Sequence, residues 1–326
     1  MTTLQTLYID RRDTELAIDG ERLLVRLVDV VRPISVPLAQ LQTVVISACT
    51  QLNSKVLQAL ADEGIALVIL NPNQSDSAVY SLPQKHGHAA RRLAQYSFCM
   101  SRLLRAEAAN KIIHYRITDQ AKLLIDLAKR HFAAAYRLNH AAKHLNEMAN
   151  QVVEGVASQG WILSIEQLRG LEGAAARLFF EVLGDCLPDW TGFAGRNRRP
   201  PKDAVNVALS LTYTYIHAEA TRALYGAGLD PMLGFYHEPG YGRDSLACDL
   251  TELLRGRAES WVVSLFNEKV LRIDHFSKPT RDTCLMSKAG RAIFYQEVEL
   301  QMLVWRQILR RVSRSWVSMV DEKLGT

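Results

Sequence analysis

One short stretch of this chain, residues 228–255, holds side chains of the kinds that bind metal ions. His237 ends an apolar run, and Asp249 and Glu252 follow it, three residues apart from each other. On a helix such a pair shares one face. Two acids with one imidazole suit Mg²⁺ or Mn²⁺, and the imidazole favours Mn²⁺. In the alternative interpretation both acids lie on a surface helix, where Glu252 pairs with Arg255.

A third acid, Glu172, lies upstream in a run with helical spacing. It is flanked by Gly170 and Gly173, which lack side chains and would let another backbone or a bulky ligand approach closely. An exposed helix glutamate is the commoner occupant of such a position. From the local sequence both interpretations stay open.

Residues 196–203 form a basic segment before a predicted helix. Pro200 and Pro201 disfavour helix in the residues before them, and Asp203 suits the N-cap of the helix that follows. Clustered cations on a stiff loop suit phosphate oxygens, although a solvated basic loop would have the same composition. The cations in question are Arg196, Arg198, Arg199 and Lys202.

The helix predicted after this loop carries a polar stripe. Asn206, Ser210, Tyr213 and His217 follow one another at spacings of four, three and four residues, so they share one helix face. Such a face either lines a site or faces water. His217 by itself is interpreted as a satisfied or exposed histidine.

Two regions of different pattern must position these residues. Short alternating strands and one helix are predicted over residues 1–70, a breaker-rich linker over 71–89, and helices over 90–326, among them 90–116 and 119–153. The predicted fold class is α+β, with a small N-terminal β domain followed by a larger all-helical C-terminal domain. The candidate residues all lie in the helical domain.

Charge and cysteine usage narrow the class of protein. The formal net charge is +5; residues 1–80 hold six Lys/Arg against nine Asp/Glu, so the remainder carries +8. A basic second region is expected of a domain that meets a polyanion. The five cysteines include no Cys-x-x-Cys pair, and neither a secretory signal nor a membrane span is indicated. The protein is therefore expected to be cytoplasmic, without a membrane partner.

Four motifs in order give a more specific signal than any one of them. Gly-Leu-Glu-Gly begins at Gly170, Arg-Arg-Pro-Pro-x-Asp-x-x-Asn-x-x-Leu-Ser-x-x-Tyr at Arg198, Gly-Leu-Asp-Pro-x-x-Gly-Phe-x-His at Gly228, and Ser-Leu-x-x-Asp-Leu-x-Glu at Ser245. This order resembles the integrase of CRISPR adaptation, the first-numbered Cas protein. The rest of the chain is similar to that family in layout and not by motif.

The resemblance implies a DNA endonuclease and integrase that depends on one divalent metal, Mg²⁺ or Mn²⁺. It implies that Glu172, His237 and Glu252 hold the metal and that Asp249 is a further catalytic residue of the same site. The residues that it places beside DNA are Arg196, Arg198, Arg199, Lys202, Asn206, Ser210, Tyr213 and Arg255.

The same resemblance implies a reaction and partners. The 3′-hydroxyl of a captured DNA, the prespacer, attacks a phosphodiester at the edge of a CRISPR repeat next to its leader. The N-terminal β domain builds a homodimer, and the second-numbered Cas protein bridges two such dimers into a heterohexamer. Two other classes share some of these features: a generic metal-dependent nuclease of DNA repair, and a non-catalytic DNA-binding scaffold.

Overall fold

The chain divides into two compact units, Met1–His88 and Ala89–Thr326. The computed structural model describes residues 5–71, 74–81, 89–157, 163–197, 200–280 and 283–324. The first unit is built mostly of strands and the second mostly of helices. The prediction of a mixed α+β protein with its strands first is confirmed.

Two four-stranded sheets and one α-helix make up the described part of the first unit. One sheet has the order β1-β5-β7-β8, in which the first three strands are parallel and β8 is antiparallel to β7. The other has the order β4-β3-β2-β6, in which only the β2–β6 pair is parallel. The elements are β1 (Gln5–Ile9), β2 (Thr14–Asp19), β3 (Arg22–Arg26), β4 (Ile34–Pro37), β5 (Leu41–Ile46), β6 (Thr50–Leu52), α1 (Ser54–Asp62), β7 (Ala66–Asn71) and β8 (Gln74–Ser81).

Alternation along these strands builds one shared core. In β2, Leu16 is buried and Glu15 is exposed, as expected for a strand with one face toward the core. Leu16 packs in one cluster with Val44 of the other sheet and with Val56 and Leu60 of α1. Both sheets and the helix therefore bury their apolar faces together.

The predicted linker contains a strand. β8 lies within residues 71–89 and pairs with β7, with Tyr80 opposite Val68. The linker prediction is wrong over residues 74–81, because an added edge strand is held by backbone hydrogen bonds that composition does not reveal. Residues 72–73 and 82–88 of this segment lie outside the described part of the chain.

Eight helices and a hairpin form the described part of the second unit. The hairpin pairs Phe276 with Met286, so the prediction of an all-helical domain is wrong there. Its two strands are four and five residues long, too short for alternation to be distinguished from a loop. The elements are α2 (Ala89–Met100), α3 (Arg102–Ala128), α4 (Ala135–Ala157), α5 (Ile165–Leu183), α6 (Ala204–Gly226), α7 (Ser245–Glu252), α8 (Arg255–Asn267), β9 (Phe276–Thr280), β10 (Thr283–Met286) and α9 (Lys288–Leu324).

Helix α6 is buried on several sides. Its buried residues include apolar Val205 and Ile216 and polar Asn206, Thr212 and Glu219. Of the polar stripe, Asn206 is buried and Ser210, Tyr213 and His217 are half-buried. None of the helices in the described ranges is long and apolar enough to cross a bilayer.

Candidate active site

Aromatic packing fixes the loop that carries His237. Phe235, two residues earlier, is completely buried, with its ring 5.2 Å from the ring of Phe98 in α2 and 5.3 Å from that of Trp316 in α9. Arg105 donates a hydrogen bond from Nε to the Phe235 carbonyl oxygen at 2.9 Å. Three helices thus hold the backbone immediately before the histidine.

Asp249 of α7 ties the same loop to the core. Its carboxylate is fully buried, and Oδ2 accepts from the backbone N–H groups of Phe235 and Tyr236 at 2.6 and 3.0 Å. Oδ1 accepts from the backbone N–H of His237 at 2.9 Å and lies 2.7 Å from its Nδ1. Asp249 was predicted to be catalytic, and within the described residues every hydrogen bond of its carboxylate is to the histidine loop. In the structure it is a positioning residue for His237.

This contact settles which nitrogen of His237 faces outward. A carboxylate only accepts, so Nδ1 carries the hydrogen, and in the neutral imidazole Nε2 then keeps its lone pair, the arrangement of a metal-ligating histidine. Burial alone would lower the pKa of His237, but the hydrogen bond and charge of Asp249 raise it, and Glu252 adds to the rise. The imidazole therefore lies in a negative field that would also attract a cation.

Close approach in this loop requires a residue without a side chain at position 234. A Cβ on Gly234 would run into the carbonyl oxygen of His237 and would lie 3.0 Å from Oδ2 of Asp249. The glycine of the Gly-Phe-x-His motif is therefore needed for the turn that brings the loop onto Asp249.

Glu172 reaches the histidine loop through a tyrosine. It is half-buried on α5, and the hydroxyl of Tyr236 donates a hydrogen bond to its Oε2. Burial and the adjacent Glu172 raise the pKa of the Tyr236 phenol, so it stays a donor. The ring centroids of Tyr236 and His237 are 4.9 Å apart. The interpretation of Glu172 as an exposed helix glutamate is therefore not supported.

Glu252 is buried and lies among arginines. Its side chain is 2% exposed, with Oε2 at 3.3 Å from Nε of Arg116 and Oε1 at 3.0 Å from Nε of Arg255. Arg116 also donates two hydrogen bonds to the buried carboxylate of Glu259, at 3.1 and 2.8 Å. The predicted alternative, a surface acid paired with Arg255, is right about the pairing and wrong about the surface.

The donor set suits a divalent cation in its chemistry. Two carboxylates and an imidazole nitrogen are ligands that Mn²⁺ and Mg²⁺ accept. Across the ranges that the structure describes, no three His, Cys, Asp or Glu side chains are arranged so that they could hold one ion. Glu172 faces the hydroxyl of Tyr236, and Glu252 faces two arginines. The donors fit a metal, and in this conformation protein groups hold them.

The basic loop is organised by buried Asn206. Its Oδ1 accepts from Arg196 at 2.7 Å and from the backbone N–H of Asn197 at 3.0 Å. Its Nδ2 donates to the carbonyl oxygen of Gly195 and to the carboxylate of Asp203, at 2.9 and 2.6 Å. Asp203 also caps α6, accepting from the backbone N–H of Asn206 at 2.8 Å as predicted from its position. Asn206, predicted to contact DNA, is 0% exposed and shapes the loop instead.

Tyr213 lies between this loop and the candidate ligands. The guanidinium carbons of Arg196 and Arg255 lie 5.5 and 4.7 Å from its ring centroid. Its hydroxyl donates to Oε1 of Glu259 at 2.8 Å. A continuous set of contacts therefore joins the basic loop to the arginines around Glu252.

The predicted DNA-contacting residues fall into three groups. Lys202 is exposed. Arg196 is half-buried and donates a second hydrogen bond, from Nη2 to Oγ of Ser210 at 3.1 Å. Ser210, Tyr213 and Arg255 are half-buried and take part in the internal network. Arg198 and Arg199 lie outside the described residues.

Three residues that shape the site were not predicted from the sequence: Tyr236, Arg116 and Glu259. Arg116 interrupts a helix face that is otherwise apolar, and a buried arginine requires a buried acid. The apolar neighbours that indicate burial of Arg116 are Ile113 and Ile117. Nothing local identified Glu259 as the partner, since 143 residues separate the pair.

Sequence comparison places this site within a known family. The family model for "CRISPR associated protein Cas1" matches residues 7–300. "CRISPR-associated endonuclease Cas1 1" of Thermodesulfovibrio yellowstonii is 33% identical over 308 residues, which cover 93% of this chain and 94% of the relative. "CRISPR-associated endonuclease Cas1 2" of Rhodospirillum rubrum is 32% identical over 295 residues, 88% of this chain and 83% of the relative.

Solved structures share the fold at lower identity. "Casposase bound to integration product" superposes with a TM-score of 0.79 at 18% identity, over 98% of this chain and 91% of that one. A Cas1 protein from Thermotoga maritima gives 0.79 at 18%, over 97% of each chain. A chain of the "Cas6-RT-Cas1--Cas2 complex" gives 0.82 at 22%, over 99% of this chain and 35% of that one. At these identities the likeness shows the fold alone.

Proposed function

This chain belongs to the CRISPR-associated Cas1 family, and we propose that it is a metal-dependent integrase and DNA endonuclease of CRISPR adaptation. The proposed reaction is a transesterification. The 3′-oxygen of a prespacer strand forms a new bond to phosphorus at the edge of a repeat. The bond from that phosphorus to the neighbouring 3′-oxygen breaks, and the released 3′-oxygen takes up a proton. With water as the attacking group, the same site cleaves DNA.

The observation that carries the proposal is the fixed imidazole of His237. Asp249 holds its Nδ1 at 2.7 Å and so leaves Nε2 for a ligand, while Tyr236 joins the same loop to Glu172. Glu172, His237 and Glu252 would hold the Mg²⁺ or Mn²⁺, which supplies positive charge to phosphoryl oxygens when bound. The residues of the chain contribute by position, since placing the phosphate and the attacking hydroxyl lowers the barrier.

The basic composition of the loop, with Lys202 exposed on it, supports DNA binding beside this site. Asn206 and Asp203 hold the loop, and Lys202 is exposed on it. Arg196, Arg198 and Arg199 are assigned to the same phosphate-contacting surface. Contacts of this kind do not depend on base sequence and weaken with salt. We expect the prespacer to bind with little sequence preference.

The proposed partners follow from the family. A structure with this fold is a complex with Cas2, which supports a Cas2 partner for this chain. We assign the strand-rich first unit to homodimer formation and a Cas2 dimer to bridging two such dimers. The CRISPR repeat and its leader are the second DNA partner, which puts the proposed activity in the cytoplasm.

A half-site integration assay tests the proposal. Labelled prespacer, a supercoiled plasmid with leader and repeat, the Cas2 partner and Mn²⁺ are mixed with wild type, Glu172→Gln or His237→Gln. Both variants should bind prespacer within twofold of wild type and join it at least about 100-fold more slowly. The matched control is Glu166→Gln, which alters an exposed acid of the same helix and should leave joining unchanged.

Three results would decide against the proposal. Normal joining by either variant would remove the metal assignment. Cleavage of DNA with no joined product, under every condition with the partner, would favour a DNA-repair nuclease. DNA binding without any activity, unaffected by a chelator, would favour a non-catalytic scaffold.

A further inference from the structure

A row of exposed rings runs along α4, a helix that carries none of the candidate site residues. It begins just before the helix with Phe132 and continues through Tyr136, His140 and His144, each four residues after the last. Phe132 and Tyr136 are 84% and 81% exposed, and the side chain of His144 is 44% exposed. Residues four apart share a helix face, so these four rings form one surface, the ring row.

Three of the four rings, Tyr136, His140 and His144, follow one another in contact. The ring centroids of Tyr136 and His140 are 6.1 Å apart with the planes at 24°, and those of His140 and His144 are 4.5 Å apart. Leu138 and Leu145, on the opposite face of α4, are completely buried. The helix therefore needs its leucine face for folding, and the ring row contributes little to the core.

Positive charge surrounds the ring row. Residues 129–147 contain four Lys/Arg against one acid, and all four cations are exposed. Lys129 and Arg137 form ion pairs with Asp126 and Asp185, so the charge available to a phosphate comes from Arg130 and Lys143. The acid is Glu147, which lies 3.0 Å from Nδ1 of His144. Flat rings among cations are the features by which proteins bind single strands, because bases stack on the rings and phosphates meet the cations.

An ion pair connects this part of α4 to the helix that carries Glu172. Arg137 lies 2.7 Å from Oδ2 of Asp185 and 3.8 Å from Oε1 of Glu181, at the C-terminal end of α5. Glu181 follows Glu172 by nine residues, about 13 Å along the helix axis. This ion pair therefore fixes α4 to the same helix that carries Glu172.

We propose that the ring row binds single-stranded DNA by base stacking, as a surface separate from the basic loop beside the candidate site. The choice of DNA rests on the proposed function; the choice of a single strand rests on the rings, because duplex bases present no open faces. A protein partner fits less well, since two of the four rings are imidazoles and the flanks are cationic.

Fluorescence anisotropy with a labelled 20-nucleotide oligo(dT) tests this surface. The variant is Phe132→Ala/Tyr136→Ala/His140→Ala in the full chain, with folding checked by thermal melting. Each lost base stack lowers affinity about fivefold or more, so the triple variant, which removes three rings, should bind at least about 100-fold more weakly. Its affinity for a 20-base-pair duplex should stay within twofold of wild type.

Two further measurements separate stacking from charge. The salt dependence of oligo(dT) binding should be unchanged in the triple variant, while Arg130→Ala and Lys143→Ala should each reduce its slope by about 0.7. The matched control is Leu300→Ala/Leu303→Ala/Val304→Ala, which removes exposed apolar groups from α9 and should bind oligo(dT) normally.

The outcomes distinguish this surface from the proposed function. Wild-type affinity of the triple variant for oligo(dT), or no oligo(dT) binding by the wild type, would overturn the ring row as a DNA surface. Lost self-association with unchanged oligo(dT) affinity would overturn it in favour of a protein contact. If the wild type joins no DNA and the triple variant still loses oligo(dT) binding, the proposed integrase function is refuted and the ring row is supported as a DNA surface.

Discussion

Replacing Asp249 with asparagine exchanges one of two accepting carboxylate oxygens for an NH₂ group, which can only donate. The carboxylate accepts from three backbone N–H groups, those of Phe235, Tyr236 and His237, and lies beside Nδ1 of His237. An amide has one accepting oxygen. If the NH₂ group faces Phe235 and Tyr236, two buried N–H groups lose their acceptor. If the NH₂ group faces His237, only the backbone N–H of His237 loses its acceptor. The imidazole must then accept a hydrogen bond from the NH₂ group at Nδ1.

The expected loss of stability follows from these contacts. A hydrogen bond to a charged group contributes about 1.5–3 kcal/mol, and an unsatisfied buried donor costs about 1–3 kcal/mol. The better rotamer loses one such bond and turns the others into weaker neutral ones, so Asp249→Asn should lower the free energy of unfolding by about 3–5 kcal/mol. In that rotamer the proton of His237 moves to Nε2, which removes the lone pair that a metal requires.

Urea unfolding followed by tryptophan fluorescence measures the first effect. All five tryptophans lie in the second unit, so the signal reports the unit that holds Asp249. The control is Asp126→Asn, whose side chain is 62% exposed and should change stability by less than about 0.5 kcal/mol. Calorimetry should show Mn²⁺ affinity reduced about 10- to 100-fold in folded Asp249→Asn. Unchanged stability of Asp249→Asn would refute the role of Asp249 in anchoring the loop. Unchanged Mn²⁺ affinity of the variant would refute the argument about the His237 tautomer.

Two other substitutions test the same unit. Gly234→Ala should lower the free energy of unfolding by about 2 kcal/mol, because the new Cβ would strike the backbone of its own loop. Gly173→Ala, where a Cβ would meet nothing within 4 Å, should raise the free energy of unfolding by about 0.5–1 kcal/mol. Urea unfolding measures both variants, and equal effects would contradict the need for glycine at position 234. Burial would lower the pKa of His217, but hydrogen bonds to Asp244 and Cys248 raise it to about 9. The stability contributed by protonated His217 is then complete below about pH 6.5 and is lost as the pH rises through 9. Urea unfolding from pH 6 to 10 should therefore show a decline in the free energy of unfolding, and His217→Gln should abolish that decline. A free energy of unfolding that stays constant over this range in the wild type would contradict the prediction.

Local pattern was enough to predict most elements of the fold. Alternation and turn residues mark the strands of the first unit because one face of each sheet is buried. Where the pattern continues without a breaker, the bounds were wrong: helices were predicted at 90–116 and 119–153, whereas α3 runs through Ala128 and α4 begins at Ala135. The strands β8, β9 and β10 were missed because pairing with a neighbour, and not composition, makes them strands.

The sequence by itself supplied the candidate donors and their order: Glu172, His237 and Glu252, with the basic loop between the first two. Their choice as a ligand set follows from the order of four motifs that resembles the family, because each motif taken alone left a structural alternative open. Only the tertiary structure decided that Asp249 orients the imidazole and that Arg116 lies between two acids. Burial and partners that are distant in sequence set those roles, and such pairs leave no periodic trace in the chain.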